Sequence, residues 1–298
     1  MIINRTNMEG LFSGFSTVFN KAFAGAESQF RSIAMIAPSM TREQNYAWLG
    51  QMPRLREWLG ERRVKSIAAY GYSIKNKNFE ATVEVEANDI KDDQYGVYTP
   101  LFEELGRSAA VLPDELVFGL LSSGFTTPCF DGQNFFDTEH LSTDAGGAET
   151  TVANMVGGEG EPWYLLDTSR AIKPVIYQER EDFRLVAADG DSDHQRFLHN
   201  KYLYGVEGRA NVGFGLWQLA YASRAPLTIE NYVAARSAMA QMRGDGGKLL
   251  GIQGDTLLVS TAQEAAGRAV IHKTHLEGGE SNEWAETAKL LVSPWLES

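Results

Sequence analysis

The spacing of aromatic side chains predicts a helix at the start of the chain. Phe12, Phe15, Phe19 and Phe23 are three or four residues apart, which places four rings on one face of a helix. Three glycines between residues 10 and 25 weaken a free-standing helix, so we expect it to become ordered by docking. The pattern leaves open whether it docks on its own domain, on a neighbouring subunit or on a membrane surface. The lack of lysine and arginine on its polar face disfavours the membrane.

Further along the chain, polar and apolar side chains alternate with a period of two residues. From residue 82 to residue 86, threonine and glutamate alternate with valine, which predicts a half-exposed strand. With the polar residues 75–78 as a turn, residues 68–90 predict a hairpin with two long arms. Because a lone hairpin is only marginally stable in water, we expect it to be held by something outside its own domain.

Charges of opposite sign lie on this hairpin and on the segment before it. Residues 80–93 carry six acidic side chains and one lysine, whereas residues 54–65 are basic. If the two meet across a subunit boundary, the charges set register and orientation more than affinity; the alternative is two solvated faces. The residues that we predict at a subunit interface are Phe12, Phe15, Phe19, Phe23, Arg62, Arg63, Lys65, Lys75, Lys77, Glu80, Glu84 and Glu86.

The remaining pattern mixes helices and strands. The predicted helices cover residues 42–63 with a break at Pro53, 92–124 with a break at Pro113, 226–242 and 261–270. The predicted strands cover residues 162–170, 173–180, 255–260 and 289–293. Residues 146–161 form a glycine-rich polar loop. This order predicts an α+β fold.

Composition narrows the class of protein. The chain has 298 residues, of which 43% are hydrophobic and 22% charged, enough for a buried core in one large domain or two ordinary ones. Cys129 is the only cysteine, so no intramolecular disulfide can form, and we expect neither a membrane span nor an export signal. The net charge of -12 disfavours a broad basic face that grips a nucleic-acid duplex, although such a protein can enclose DNA without gripping it.

The sequence motifs that would indicate a phosphate-binding, metal-binding or catalytic site are incomplete. Residues 242–249 lack the first glycine and the final serine or threonine of a phosphate-binding loop, and residues 189–194 place a histidine where a calcium loop needs glycine. Asp137, Glu139 and His140 could form an acid and base set, which keeps an acidic cytoplasmic enzyme open as a rival hypothesis. Because none of these motifs is complete, our main expectation is no catalytic residue, no cofactor and no metal.

Several stretches together resemble one family. YSIKNKNFEATVEVEANDIKDDQYGVYTPLFEELG at 72–106, then PDELVFGLL, DGQNFFDTEH, GFGLWQLAY and LLVSPWL in order, closely resemble the major head subunits of phage Mu and Mu-like prophages. The resemblance covers most of the chain from the hairpin to the carboxyl end. It implies the Hong Kong ninety-seven type of capsid fold, which is α+β.

That resemblance also implies a division into parts. Residues 1–65 would be an N-terminal arm and residues 66–91 an extended hairpin that reaches over a neighbour. Residues 92–124 and 270–298 would form a peripheral domain with a long spine helix, and the last strands would return to the peripheral sheet. Residues 125–269 would form the axial domain. We expect that deletion of residues 1–31 leaves a soluble, folded subunit that assembles poorly.

The function that the resemblance implies is assembly rather than catalysis. The chain would assemble with itself, as hexamers and pentamers, into an icosahedral shell of a tailed phage or prophage that encloses double-stranded DNA without sequence-specific binding. Its other partners would be a scaffold or protease, a portal and decoration proteins, with assembly in the host bacterial cytoplasm. An encapsulin-like compartment that packages enzymes is a second rival.

Overall fold

One long helix and two sheets organise the chain. The computed structural model describes residues 2–49, 71–144, 148–190, 193–244, 247–275 and 279–296. The helices in these ranges are α1 (Arg5–Gly25), α2 (Phe30–Ile33), α3 (Ala87–Lys91), α4 (Thr99–Ser122), α5 (His194–His199), α6 (Ile229–Ala240) and α7 (Glu264–Ile271). Short 3-10 turns, such as Tyr95–Tyr98 before α4, join some of them.

The strands of the described residues fall into two main sheets and two small pairs. They are β1 (Ala34–Pro38), β2 (Glu43–Asn45), β3 (Ser73–Lys75), β4 (Lys77–Glu86), β5 (His140–Thr143), β6 (Glu149–Val152), β7 (Met155–Val156), β8 (Trp163–Leu166), β9 (Val175–Ala188), β10 (Lys201–Phe214), β11 (Ala220–Ser223), β12 (Thr256–Val259) and β13 (Lys289–Val292). One sheet has the order β1-β9-β10-β4 and the other the order β13-β12-β8-β11-β7. The small pairs are β2-β3 and β5-β6.

Helix α4 passes through two hydrophobic clusters. Its first half buries Phe102 and Leu105 in a cluster with α1 and with one end of the β4-β10-β9 sheet. Its second half buries Phe118 and Leu121 in a larger cluster that includes the five-stranded sheet. The sequence prediction of a spine-like helix is confirmed, but α4 starts at Thr99 rather than at residue 92.

Pro113 does not break this helix, contrary to the prediction. Helix α4 runs through Pro113 without interruption, and Ala109, Pro113 and Val117 are all buried on one side of it. Proline removes one backbone hydrogen bond from a helix interior. Burial of apolar side chains before and after Pro113 holds the helix across that position.

The predicted hairpin is wrong in its pairing over the described residues 71–90, whereas residues 66–70 lie outside the described residues. Strand β4 pairs along its length with β10, from Lys201↔Glu86 to Ala210↔Lys77, and β3 pairs with β2. Between β3 and β4, Asn76 is buried and its side-chain amide donates to Ser39 Oγ and the Thr41 carbonyl, at 3.0 and 2.8 Å. The polar residues 75–78 therefore link two sheets and do not reverse the chain.

Three other predictions need correction. Residues 43–45, predicted as helix, form β2, and residues 50–63 of that helix lie outside the described residues. Strand β13 pairs in parallel with β12 in the five-stranded sheet, and which sheet is peripheral stays a prediction. Strands β9 and β10 lie within residues 125–269 yet pair with β1 and β4 and pack against α1 and α4. Side-chain periodicity identifies a strand and its faces, but not its partner.

Candidate assembly surfaces

The aromatic strip of α1 packs on its own chain. Phe15 and Phe19 are buried in the cluster with α4, and Phe12 and Phe23 are partly buried against it. The Phe15 ring stacks on Phe102 with centroids 3.9 Å apart and meets the Tyr204 ring edge to face at 5.2 Å. The prediction that Phe15 and Phe19 belong to a subunit interface is therefore wrong, because the chain's own helix and sheet already cover them.

The helix crossing explains why the strip docks so closely. A Cβ atom on Gly106 of α4 would clash with the Phe19 carbonyl oxygen and would lie 3.0 Å from Ala22 Cβ. Glycine at this position lets the backbones of α1 and α4 approach each other. Asn4 caps α1, since its side chain accepts a hydrogen bond from the Asn7 backbone N–H at 2.9 Å.

The charged side of β4 is paired within the chain at one end. Lys201 Nζ lies 2.6 Å from Glu84 Oε2 and 3.6 Å from Glu86 Oε1, and the hydrogen bond with Glu84 raises the pKa of Lys201. Between the neighbouring strands β9 and β10, Arg184 pairs with Glu207 at 2.8 Å. These ion pairs are largely exposed, so they contribute little stability. They occupy two of the glutamates that we predicted at an interface.

The other predicted interface residues remain open to a partner or fall outside the description. Glu80, Lys75 and Lys77 are exposed, and Glu80 lies opposite Glu207 in the β4-β10 ladder. Because Arg184 already pairs with Glu207, Glu80 is the glutamate of this facing pair that a cation from elsewhere could meet. The basic residues Arg62, Arg63 and Lys65 lie outside the described residues, so their role stays a prediction.

Asp137, Glu139 and His140 do not form the acid and base set that a rival enzyme would need. Asp137 Oδ1 accepts hydrogen bonds from the backbone N–H groups of Thr138 and Glu139, at 2.7 and 3.1 Å. The Glu139 side chain is exposed, whereas His140 is fully buried. Glu139 precedes β5 and His140 begins it, so the exposed carboxylate and the buried imidazole lie in different surroundings.

His140 instead belongs to a buried hydrogen-bonded cluster with Asp131 and Cys129. Its Nδ1 lies 2.7 Å from Asp131 Oδ2, and its ring stacks on Trp217 with centroids 4.0 Å apart. The Cys129 thiol donates to Asp131 Oδ1 at 3.1 Å. Among the described residues this is the group whose thiolate, carboxylate and imidazole atoms could come together on a metal, all within 4.8 Å of one another.

The chemistry of this cluster fits a structural role. Burial raises the pKa of the Cys129 thiol far above its usual range, which keeps it protonated and unreactive. Burial also acts to raise the pKa of Asp131, but the hydrogen bonds from His140 and Cys129 outweigh burial and leave that pKa below its usual value of 3.8. The ionised Asp131 joins the 128–134 turn, through the Gln133 backbone N–H, to the start of β5.

Sequence reasoning missed two exposed residues on α5. Phe197 and Leu198 are 83% and 53% exposed. A signal was available, because the run HQRFLH places two large apolar residues between polar ones over too short a stretch to bury them all. Among the helices of the described residues, none is long and apolar enough to cross a bilayer.

The amino-acid sequence matches known phage head proteins over nearly its whole length. A family model described as Mu-like prophage major head subunit gpT matches residues 8–296. The major capsid protein of Escherichia phage Mu is 41% identical over 305 residues, which cover 99% of this chain and 100% of that protein. The Mu-like prophage FluMu major head subunit of Haemophilus influenzae is 42% identical over 300 residues, or 97% of each chain.

Solved structures agree with the sequence matches. A chain of the bacteriophage JBD30 procapsid is 43% identical, with a TM-score of 0.87 over 99% of this chain and 100% of that one. A chain of the JBD30 capsid is 32% identical, with a TM-score of 0.76 and the same coverage. A chain of the JBD30 capsid decorated with minor capsid protein trimers is 30% identical over 92% of each chain, with a TM-score of 0.78.

Proposed function

The chain belongs to the family of Mu-like prophage major head subunits, and from that premise we propose that it assembles as hexamers and pentamers into an icosahedral shell around double-stranded DNA. It is a major capsid protein with the α+β fold of Hong Kong ninety-seven type, a structural subunit and not an enzyme. The observation that carries the proposal is the full-length match to a procapsid chain at a TM-score of 0.87. Closed shells of one chain follow from repeated, symmetric contacts that are each modest.

The net charge of the chain and its relatives both bear on what the shell contains. The net charge of -12 makes the wall repel phosphate on average, so DNA can fill the shell and leave it without binding to specific residues. An encapsulin-like compartment would need instead an inner surface that recognises a protein cargo. The match to phage head subunits over nearly the whole chain supports DNA as the content.

Other partners belong to the same proposal. A scaffold or protease would guide assembly, a portal would occupy one opening, and decoration proteins would bind the outer surface. The decorated JBD30 capsid, with its minor capsid protein trimers, supports the last of these. Assembly would take place in the host bacterial cytoplasm, where the buried, unreactive Cys129 suits a reducing environment.

Within the shell we assign the two sheets to two domains. The sheet β1-β9-β10-β4 with α1 and the first half of α4 would be the peripheral domain, and the sheet β13-β12-β8-β11-β7 with α6 and α7 the axial domain. This assignment replaces the sequence-based boundaries, because strand pairing and the two clusters support it. Exposed Lys75, Lys77 and Glu80, together with Arg62, Arg63 and Lys65, remain our candidates for contacts between copies.

A nuclease experiment tests the proposed content. Particles purified from cells that express this chain with the head-assembly genes of its phage should contain DNA that survives nuclease until the shells are opened. Empty shells from expression of the chain without those genes are the control. Purified particles that carry enzymes and no protected DNA would contradict the proposal and support the compartment.

A further inference from the structure

Three different ligand groups meet between the 128–134 turn and the start of β5. Cys129 Sγ, an Asp131 carboxylate oxygen and His140 Nδ1 all lie within 4.8 Å of one another. Asp131 connects the other two, with Oδ1 3.1 Å from the sulfur and Oδ2 2.7 Å from the imidazole nitrogen. Cys129 and His140 are 5% and 0% exposed, so bulk water does not reach their donor atoms. Thiolate, carboxylate and imidazole are the side-chain groups with which proteins bind zinc.

The His140 ring is oriented as the ring of a metal-binding histidine is. Its Nε2 lies 3.3 Å from the Phe135 carbonyl oxygen, which only accepts hydrogen bonds, so Nε2 carries a proton. The same carbonyl accepts from Asn154 Nδ2 at 2.8 Å, and the ring stacks on Trp217 with an interplanar angle of 9°. A metal-binding histidine typically donates its second ring N–H to a carbonyl or carboxylate, which turns the other nitrogen towards the metal. Nδ1 of His140 is turned in this way towards Asp131.

A positive charge belongs between His140 Nδ1 and Asp131. Nδ1 faces a carboxylate oxygen at 2.7 Å, and two lone pairs at that distance repel each other unless a cation lies between them. In the metal-free chain that cation is a second ring proton. A divalent ion in its place would also bind the Cys129 thiolate, and the negative charges of thiolate and carboxylate would cancel the charge of the ion. A neutral unit of this kind can be buried, whereas an uncompensated ion is costly to bury.

We propose that Cys129, Asp131 and His140 bind one Zn²⁺ ion in each chain, as a structural metal site. Mixed sulfur, nitrogen and oxygen donors favour zinc, since magnesium and calcium take oxygen ligands. On binding, the Cys129 thiol and His140 Nδ1 each lose a proton to solvent, because a coordinated thiol is deprotonated even where burial opposes ionisation. The fourth ligand would be the second Asp131 oxygen or a water molecule. The ion would join the 128–134 turn to β5, as hydrogen bonds do in the metal-free chain.

The donor atoms need only a small separation to admit the ion. Zinc bonds to nitrogen and oxygen set these atoms about 3.3 Å apart in a tetrahedral site, compared with 2.7 Å between His140 Nδ1 and Asp131 Oδ2. Asp131 can supply the shift, because it lies in a turn rather than in a strand. It is followed by Gly132, where no atom of the described residues lies within 4 Å of the Cβ position. The His140 ring, stacked on Trp217, stays in place.

Metal content tests the site in the intact chain. The full-length chain, purified without chelator from cells grown with zinc, should hold about one Zn²⁺ ion per chain by elemental mass spectrometry. Cys129→Ala removes the sulfur ligand and should lower the zinc content by about tenfold or more. His272→Ala is the matched control for loosely bound zinc, since His272 is a half-exposed imidazole, and it should keep the wild-type content. A wild-type chain without zinc, or equal zinc in wild type and Cys129→Ala, would overturn the proposal and leave the proton as the cation.

Cobalt identifies the sulfur ligand in the wild-type chain, without a variant that must fold. Cys129 is the only cysteine, so a thiolate-to-cobalt charge-transfer absorption, in chain produced in cells supplied with Co²⁺, can come only from this site. Removal of zinc by a chelator should lower the unfolding temperature of the wild-type chain by about 5 °C or more and leave that of Cys129→Ala unchanged. Cobalt bound without the absorption, or a chelator that lowers both unfolding temperatures equally or neither, would overturn the site.

Discussion

Asp131 is the side chain with the most connections in the turn that leads to β5. Its two carboxylate oxygens accept hydrogen bonds from the His140 ring, the Cys129 thiol and the Gln133 backbone N–H. The sequence drew attention to His140 but paired it with Asp137 and Glu139, which are nearer in the chain. Sequence distance is a poor guide here, because the tight 128–134 turn brings Asp131 back onto the imidazole.

We expect Asp131→Asn to lower the free energy of unfolding by about 2 kcal/mol at neutral pH, because charge-assisted hydrogen bonds lose one partner. The folded state lowers the pKa of Asp131, so its contribution is fully present above the usual value of 3.8 and is lost as pH falls through the lower folded value. Urea unfolding at several pH values should show the difference from wild type shrinking below about pH 4.

Asp92→Asn is the control for that titration, since Asp92 is exposed in the turn after α3. It should change stability by less than about 0.5 kcal/mol at any pH. A wild-type advantage over Asp131→Asn that grows as the solution is acidified would contradict the hydrogen bonds assigned to the ionised Asp131.

At the scale of elements, α1 shows what a hydrophobic pattern can and cannot predict. The spacing of Phe12, Phe15, Phe19 and Phe23 correctly predicted a helix and its buried face. The pattern did not identify the partner, because the same face would fit its own domain or a neighbour. The decisive residue was Gly106, which lies far along the chain and gave no signal in the sequence.

Two glycine substitutions should change stability in opposite directions. Gly106→Ala places a methyl group against the Phe19 carbonyl, so it should destabilise the subunit by about 1–3 kcal/mol. Gly14→Ala lies within α1 with no atom in the way, so it should stabilise the subunit by up to about 1 kcal/mol. Thermal unfolding of the two variants beside wild type measures both effects, and equal shifts would contradict the close crossing of α1 and α4.

Deletion of residues 1–31 now has a different expected result. It removes Phe15 and Phe19 from the cluster and exposes Phe102 and Tyr204, so the subunit should lose cooperative unfolding and precipitate rather than remain folded and soluble. Circular dichroism and sedimentation of the truncated chain check this. A soluble truncated subunit with a wild-type unfolding transition would contradict the packing of α1.

Strand β4 shows a similar division between local and distant information. Alternating valine and glutamate correctly predicted a strand with one polar face. The predicted partner was the adjacent segment, but β10, more than a hundred residues away in sequence, supplies a matched apolar face with buried Tyr202, Tyr204 and Val206. Pairing follows burial across the whole fold, which local periodicity does not encode.

At the scale of the molecule, the fold came from family resemblance rather than from physical rules. Composition and charge disfavoured membrane and duplex-binding classes, and the predicted elements gave an α+β class. The arrangement of two sheets around α4 needed a template, since β13, β12 and β8 converge from distant parts of the chain. Contacts between copies were the least predictable, because one chain contains half of each contact.

The most direct measurement of the central claim is electron cryomicroscopy of particles made in cells that express this chain with its phage assembly proteins. We predict closed shells in which hexameric and pentameric rings of this chain form the wall, each copy with α1 packed along α4. A wall built of another protein, or a chain that stays monomeric under conditions in which the phage assembles heads, would contradict the account.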